Sequence, residues 1–253
     1  MLPRIFCQLP IAHRGFHDLD AGRPENSRAA IRAAMDAGYG IEIDLQLSAD
    51  GQAMVFHDYA LGRLTHETGP VRQRSAASLA AIALKGGDGE GIPTLSEVLA
   101  LVAGRVPLLI ELKDQDGEMG TDIGVLEAAA VAALQGYQGD VALMSFNPHS
   151  VAKLAEIAPD IPRGLVTSSY DPTKWPLSKA LCDTLREIPD FDRTGSQFIS
   201  HERDDADRPR VQELRAAGVP ILSWTIRSEA EEAEVRKHVD NITFEGYVAP
   251  LPA

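Results

Sequence analysis

The chain has 253 residues, enough for one large domain with a buried core or for two smaller ones, and close to the roughly 250 of a typical (β/α)8 barrel. Its 24 Lys and Arg against 37 Asp and Glu give a formal charge of −13, which excludes the basic surface that non-specific nucleic-acid binding needs. So acidic a chain holds an anionic phosphate only at a local positive site, which a bound divalent cation would provide.

In chain order, Met1 to Phe6 lacks the long apolar core of a signal peptide. Short apolar runs at 10–13, 40–47, 107–112, 141–145, 163–167, 197–200, 220–225 and 241–245 predict eight strands. Helical patterns fall between them at 26–37, 94–103, 122–135, 148–158, 174–187, 208–217 and 228–238. Asn26 or Ser27 starts the first helix, and the pairs Thr94 with Glu97 and Ser228 with Glu231 read as capping boxes. Gly38, Gly104 and Gly218 follow helix ends. This alternation predicts a parallel sheet of βα units and, at this length, a single (β/α)8 TIM barrel domain over 1–253.

One segment breaks the alternation. Residues 53–57 read as a strand, yet only Ser48 to Gln52 precede it, too few for a parallel crossover. The connection is a β-hairpin about Asp50-Gly51, and pairing about that turn brings His57 opposite Asp44. The insertion that follows, roughly 59–93, is weakly periodic and Gly-rich near its end, and is expected to overhang the site as a partial lid. No stretch is apolar enough to span a bilayer, and Cys7 and Cys182 fit neither a zinc site nor a disulfide framework. The expectation is a cytoplasmic protein with reduced thiols and no membrane insertion.

The chemistry gathers at strand ends. Glu42 and Asp44 share one face of their strand, while Ile41, Ile43 and Leu45 take the other, so in a barrel the two acids face the interior. Glu111 shares a face with Lys113 on an otherwise apolar strand. Three carboxylates at strand ends suit one hard cation, Mg2+ or Ca2+. His13 closes the first strand and His57 the hairpin, a pair able to move protons in ester cleavage. Arg14 offers a forked phosphate clamp, Lys113 a point charge, and Trp224 an aromatic wall for a small-molecule phosphodiester substrate. Phe146 and His201 occupy similar rim positions.

His13-Arg14-Gly15, Pro24-Glu25-Asn26-Ser27, Glu42-x-Asp44, His57-Asp58, Glu111-x-Lys113 and Trp224-Thr225 follow the order and approximate spacing of the glycerophosphodiester phosphodiesterase family, which the chain resembles over residues 11 to about 245. The resemblance implies hydrolysis to glycerol 3-phosphate and an alcohol. It implies metal ligation by Glu42, Asp44 and Glu111, acid and base roles for His13 and His57, and attack by a neighbouring glycerol hydroxyl through a cyclic phosphate. Arg227 and Glu245 depart from the usual family pattern and are expected to alter the pocket wall. A bulkier ester, as in lysophospholipase D or the related sphingomyelinase D enzymes, would need a wide apolar trough beside the site. A catalytically silent binding protein would be expected to have lost a ligand or a histidine, and all five are present.

Overall fold

The computed structural model describes residues 1–252. In chain order its elements are β1 (Ile11–Ala12), α1 (Arg28–Ala37), β2 (Gly40–Leu47), β3 (Ala53–Val55), α2 (Ala76–Ala80), α3 (Leu95–Val102), β4 (Leu108–Leu112), α4 (Val125–Leu134), β5 (Val141–Ser145) and α5 (Pro148–Ile157). They continue with β6 (Arg163–Thr167), α6 (Lys179–Arg186), β7 (Phe198–Glu202), α7 (Pro209–Ala216), β8 (Ile221–Ile226), α8 (Glu229–Val235) and β9 (Asn241–Phe244). Parallel pairing runs from β1 through β2, β4, β5, β6, β7, β8 and β9, and β9 pairs back with β1. The eight expected strands therefore close into a barrel, with β3 outside it, antiparallel to β2.

Residue alternation along each strand separates two cores. Ile41, Ile43 and Leu45 pack outward with Ile31, Leu95 and Leu99 of the helix layer. Leu109, Met144, Val166, Phe198 and Leu222 fill the interior, together with Phe6 from the N-terminal segment. That segment lies across the barrel floor: Asn241, the first residue of β9, donates to the Phe6 and Leu9 carbonyls at 2.7 and 2.6 Å. Gly164 leaves room for the Phe198 ring, since a Cβ there would fall 2.6 Å from it. With the floor packed, the open end of the barrel is at the strand C-termini, where Asp44 lies level with Glu111.

The caps behave largely as read. Thr94 and Glu97 form a reciprocal capping box, and Ser228 accepts from the Glu231 amide. The Glu231 carboxylate instead accepts from the Arg227 amide, so that second box is half formed. Ser27 rather than Asn26 caps α1. The helix expected at 174–187 begins only at Lys179, because Pro176 cannot donate within a helix and Ser178 caps the later start.

Two expectations about the hairpin need correction. In the observed register Leu45 faces Val55 and the Phe56 amide bonds the Asp44 carbonyl, so Phe56 and not His57 stands opposite Asp44. The segment 59–93 is also more ordered than its periodicity suggests. It holds a 3-10 turn (Val71–Gln73) and α2 around a small core of Phe56, Leu61, Leu64, Val71, Leu79 and Ile92. Those apolar residues are spaced irregularly, so neither a helical nor a strand period exposes them.

Candidate active site

The His13-Arg14-Gly15 turn is built by backbone geometry. Arg14 and Gly15 both take left-handed conformations (φ 55° and 78°), curling the chain off the end of β1. Gly15 is required there, because a Cβ would lie 2.9 Å from the Ala30 carbonyl carbon of α1. The curl lets the Arg14 amide donate to Glu42 Oε2 at 2.9 Å and the Gly15 amide to the Glu42 carbonyl at 3.2 Å.

Pro24-Glu25-Asn26-Ser27 supports the same turn from the other side. Asn26 is left-handed (φ 57°), a conformation that asparagine tolerates, and its amide donates to the Arg14 carbonyl at 2.8 Å. Asn26 Nδ2 donates to Asp44 Oδ2 at 2.9 Å, fixing that carboxylate. Arg14 Nη1 donates to Glu25 Oε1 at 2.7 Å, and its Nε lies 3.4 Å from Asp44 Oδ2. The guanidinium is thus held in the cavity wall by two acids before any anion arrives.

Glu42, Asp44 and Glu111 each present a carboxylate oxygen within 4.8 Å of the others, all three buried. Burial pushes the Glu42 carboxyl well above the ordinary range, and the negative charges of Asp44 and Glu111 push it the same way. Burial works likewise on Asp44, but Lys113 and then His57 and Arg14 outweigh it and hold Asp44 below its ordinary value. Lys113 Nζ stands 2.7 Å from Asp44 Oδ1 and 2.6 Å from Glu111 Oε1. Burial opposes that ammonium's charge, yet the two acids keep it raised and protonated. Glu42 Oε1 is buried with no hydrogen-bond partner among the described residues. An all-oxygen donor set with an unpartnered buried oxygen, and more negative than positive charge, fits a hard divalent cation.

Both histidines have one ring nitrogen tied to a carboxylate. His57 Nδ1 is 2.7 Å from Asp58 Oδ1, and His13 Nδ1 is 2.5 Å from Glu245 Oε2. Burial lowers His13 to about 4 although the bond to Glu245 opposes it, so near neutrality the ring is uncharged. With its proton on Nδ1 facing Glu245, the lone pair on Nε2 is left inward, 4.0 Å from Glu42 Oε2. Glu245 also takes the Arg227 Nε bond at 2.8 Å and lies 3.4 Å from His17 Nε2. The two departures from the family pattern therefore meet each other, and their joint effect is to hold His13.

His13, Arg14, Glu42, His57, Glu111, Lys113 and Trp224 line one cavity of about 380 Å³, and Asp44 lies beneath it against Lys113. Phe146 lines it as well. His201 does not: adjacent to inward Ser200, it is fully buried on the outer face, 2.8 Å from Thr167 Oγ1 and 3.1 Å from the Asp205 carbonyl. Its position at a strand end matched the others, but the one-residue offset places it on the wrong side of the wall.

Arg63 was not singled out by the sequence. It reaches from the inserted segment into the cavity wall and binds Glu25 through Nη1 and Nη2 at 2.7 and 2.8 Å. It also binds Asp58, through Nε and Nη2 at 2.6 and 2.8 Å. One guanidinium thereby joins the partner of Arg14 to the partner of His57. No short-range signal marks its contact with Glu25, which lies 38 residues away.

A closed parallel barrel with acids, histidines and a clamped arginine at its C-terminal rim defines a class of barrel enzymes acting on anionic esters. Residues 13–242 match the Glycerophosphoryl diester phosphodiesterase family, and the chain belongs to that family. It is 33% identical over 243 residues to a glycerophosphodiester phosphodiesterase of Caldanaerobacter subterraneus subsp. tengcongensis, covering 92% of each chain. An Oleispira antarctica phosphodiesterase solved with the product sn-glycerol-3-phosphate is similar at TM-score 0.77 and 26% identity, covering 94% of each chain. A glycerophosphodiester phosphodiesterase from Agrobacterium tumefaciens aligns at TM-score 0.68 and 27% identity, covering 94% of this chain and 96% of its own.

Proposed function

We propose that this chain carries out the reaction of its family, hydrolysing a glycerophosphodiester to glycerol 3-phosphate and an alcohol, within the cavity that joins His13 and His57 to three buried carboxylates. The observation that carries this reading is the unpartnered Glu42 oxygen beside Asp44 and Glu111, with Arg14 held at the same rim. Glu42, Asp44 and Glu111 would hold one divalent cation, Mg2+ or Ca2+, which when bound neutralises charge on the phosphate oxygens. Lys113, now paired with Asp44 and Glu111, would be free to share the charge of the phosphate once those acids held a cation.

The remaining chemistry falls to the chain's own side chains. Arg14 binds and orients the phosphate, with Glu25 and Asp44 fixing its fork. His13 and His57 move the two protons of the reaction: one leaves the attacking hydroxyl, the other reaches the leaving alcohol oxygen. Glu245 and Asp58 hold the two rings by Nδ1, so that Nε2 of each serves the substrate. Trp224, with its indole N–H donating to the Ser200 carbonyl at 3.0 Å, offers an apolar face to the glycerol carbons. Barrel and inserted segment work as one domain, since Arg63 of the insertion completes the wall.

Among the described residues no helix is long and apolar enough to cross a membrane. A cytoplasmic setting is the reading that suits free thiols at Cys7 and Cys182. Incubation with glycerophosphocholine, glycerophosphoethanolamine and glycerophosphoglycerol in the presence of Mg2+ or Ca2+ tests the reaction by product identity. Glycerol 3-phosphate is expected from at least one of them. Phosphocholine or phosphoethanolamine in its place would mean that the other ester bond is broken and would contradict the assignment.

A further inference from the structure

A second group of metal-ligating side chains stands at the cavity rim, apart from the three buried carboxylates. His13, His17 and Glu245 each present one nitrogen or oxygen within 4.8 Å of the others. The fold brings them together from two strand ends. Ala12 of β1 pairs with Phe244 of β9, so the next residues, His13 and Glu245, leave the sheet level with each other. The left-handed curl at Arg14 and Gly15 then turns the chain back, and His17 returns to the same carboxylate.

Glu245 divides its two oxygens. Oε1 accepts from Arg227 Nε at 2.8 Å, while Oε2 faces both rings, 2.5 Å from His13 Nδ1 and 3.4 Å from His17 Nε2. Arg227 thus fixes the carboxylate from outside with one oxygen turned to the histidines, as the outer partners of metal ligands do. The His17 side chain makes no other hydrogen bond among the described residues. Ligands held by a tetrahedral Zn2+ at about 2.0 to 2.1 Å stand roughly 3.3 Å apart. The His17 contact already has that spacing, and the His13 contact reaches it by opening less than about 1 Å.

The donor set separates this group from the carboxylate site. Two imidazole nitrogens and one carboxylate oxygen suit Zn2+, with the fourth position left to water, whereas Mg2+ and Ca2+ prefer oxygen ligands. The three side chains are between 13% and 23% exposed and line the cavity, so an ion reaches them from solvent.

We propose that His13, His17 and Glu245 form an inhibitory Zn2+ site, distinct from the site of the activating cation. The inhibition rests on the hydrolytic reading above, in which Nε2 of His13 serves the substrate. Zn2+ on Nδ1 takes the place of the proton there, and the neutral ring then carries its one proton on Nε2. The inward nitrogen has lost its lone pair and cannot accept a proton. Nor does it readily donate one, because the ring is no longer able to pass through its cationic form. The proton only moves from one ring nitrogen to the other, so binding needs no further reactant and is reversed by removing the ion.

The test titrates Zn2+ into enzyme held in excess Mg2+ or Ca2+, whichever supports turnover, for the unaltered protein and for His17→Ala. Two readouts are taken: glycerol 3-phosphate release, and Zn2+ retained in equilibrium dialysis. The unaltered protein is expected to retain one Zn2+ per chain and to lose turnover as that ion binds. His17→Ala should turn over within about 2-fold of the unaltered enzyme when Zn2+ is absent, yet need at least about 10-fold more Zn2+ both to bind it and to be half inhibited. Equal Zn2+ requirements in the two proteins overturn the proposal, since the ion is then displacing the activating cation from the three carboxylates. Zn2+ retained with turnover unchanged or raised overturns the inhibitory role. If no form of the enzyme releases glycerol 3-phosphate, the hydrolytic reading itself fails, while dialysis of the two proteins still decides whether His17 holds the ion.

Discussion

Four of the polar side chains gathered at the barrel rim are each held in place by a second residue. His13 depends on Glu245, His57 on Asp58, Asp44 on Asn26, and Arg14 on Glu25. His13→Ala and His57→Ala are therefore expected to lower kcat by about 100-fold or more with little change in metal affinity. A nitrophenyl ester, whose leaving group needs no proton, should rescue only the variant that has lost the acid, and steady-state kinetics on both esters reads the difference. Asp58 gives a pH test. Burial works to raise its carboxyl, but hydrogen bonds from His57 and Arg63 more than reverse this and hold it below the ordinary range. A depressed native value means the stabilisation is complete above the unfolded value of about 4 and is lost as pH falls from there. The stability gap between the unaltered protein and Asp58→Asn in urea should thus be largest near neutrality and shrink progressively as pH falls below about 4. A gap that widens in acid would contradict the attribution.

At the scale of elements, the site is made where strands end and turns begin. The curl after β1 is the most constrained of these, with two consecutive left-handed residues and no room for a Cβ at Gly15. Gly15→Ala is expected to cost about 2 kcal/mol or more in urea denaturation, from backbone strain and the clash with α1, and to lower activity by moving Arg14 and His13. The strands and their facing were legible because alternation is a short-range signal: Ile41, Ile43 and Leu45 could be placed outside and Glu42 and Asp44 inside from five residues. The hairpin was legible from chain length, but its register was one residue off because the strand ends at Val55, before His57. What the sequence did not reveal joins distant segments. Arg63 meets Glu25 across 38 residues, and Glu245 meets His13 across 232, so no local period marks either pair. The roles of Glu25 and Asn26 were hidden for a related reason, since their motif could be quoted but the turn it braces exists only in three dimensions.

For the whole molecule, the closed barrel separates stability from chemistry. Phe6, Phe198 and Leu222 pack the floor and interior, while the acids, histidines and cations cluster at the strand C-termini. The insertion after β3 has a core of its own and extends Arg63 to that rim. All of this converges on one claim, that the three buried carboxylates hold the ion on which diester hydrolysis depends. The most direct measurement is glycerol 3-phosphate release from a glycerophosphodiester by enzyme stripped with chelator and then supplied with Mg2+ or Ca2+, beside the same series for Glu111→Gln. Chelation is expected to abolish release and a divalent ion to restore it, with Glu111→Gln needing far more ion for any recovery. Full turnover in excess chelator, or unaltered ion dependence in the variant, would contradict it.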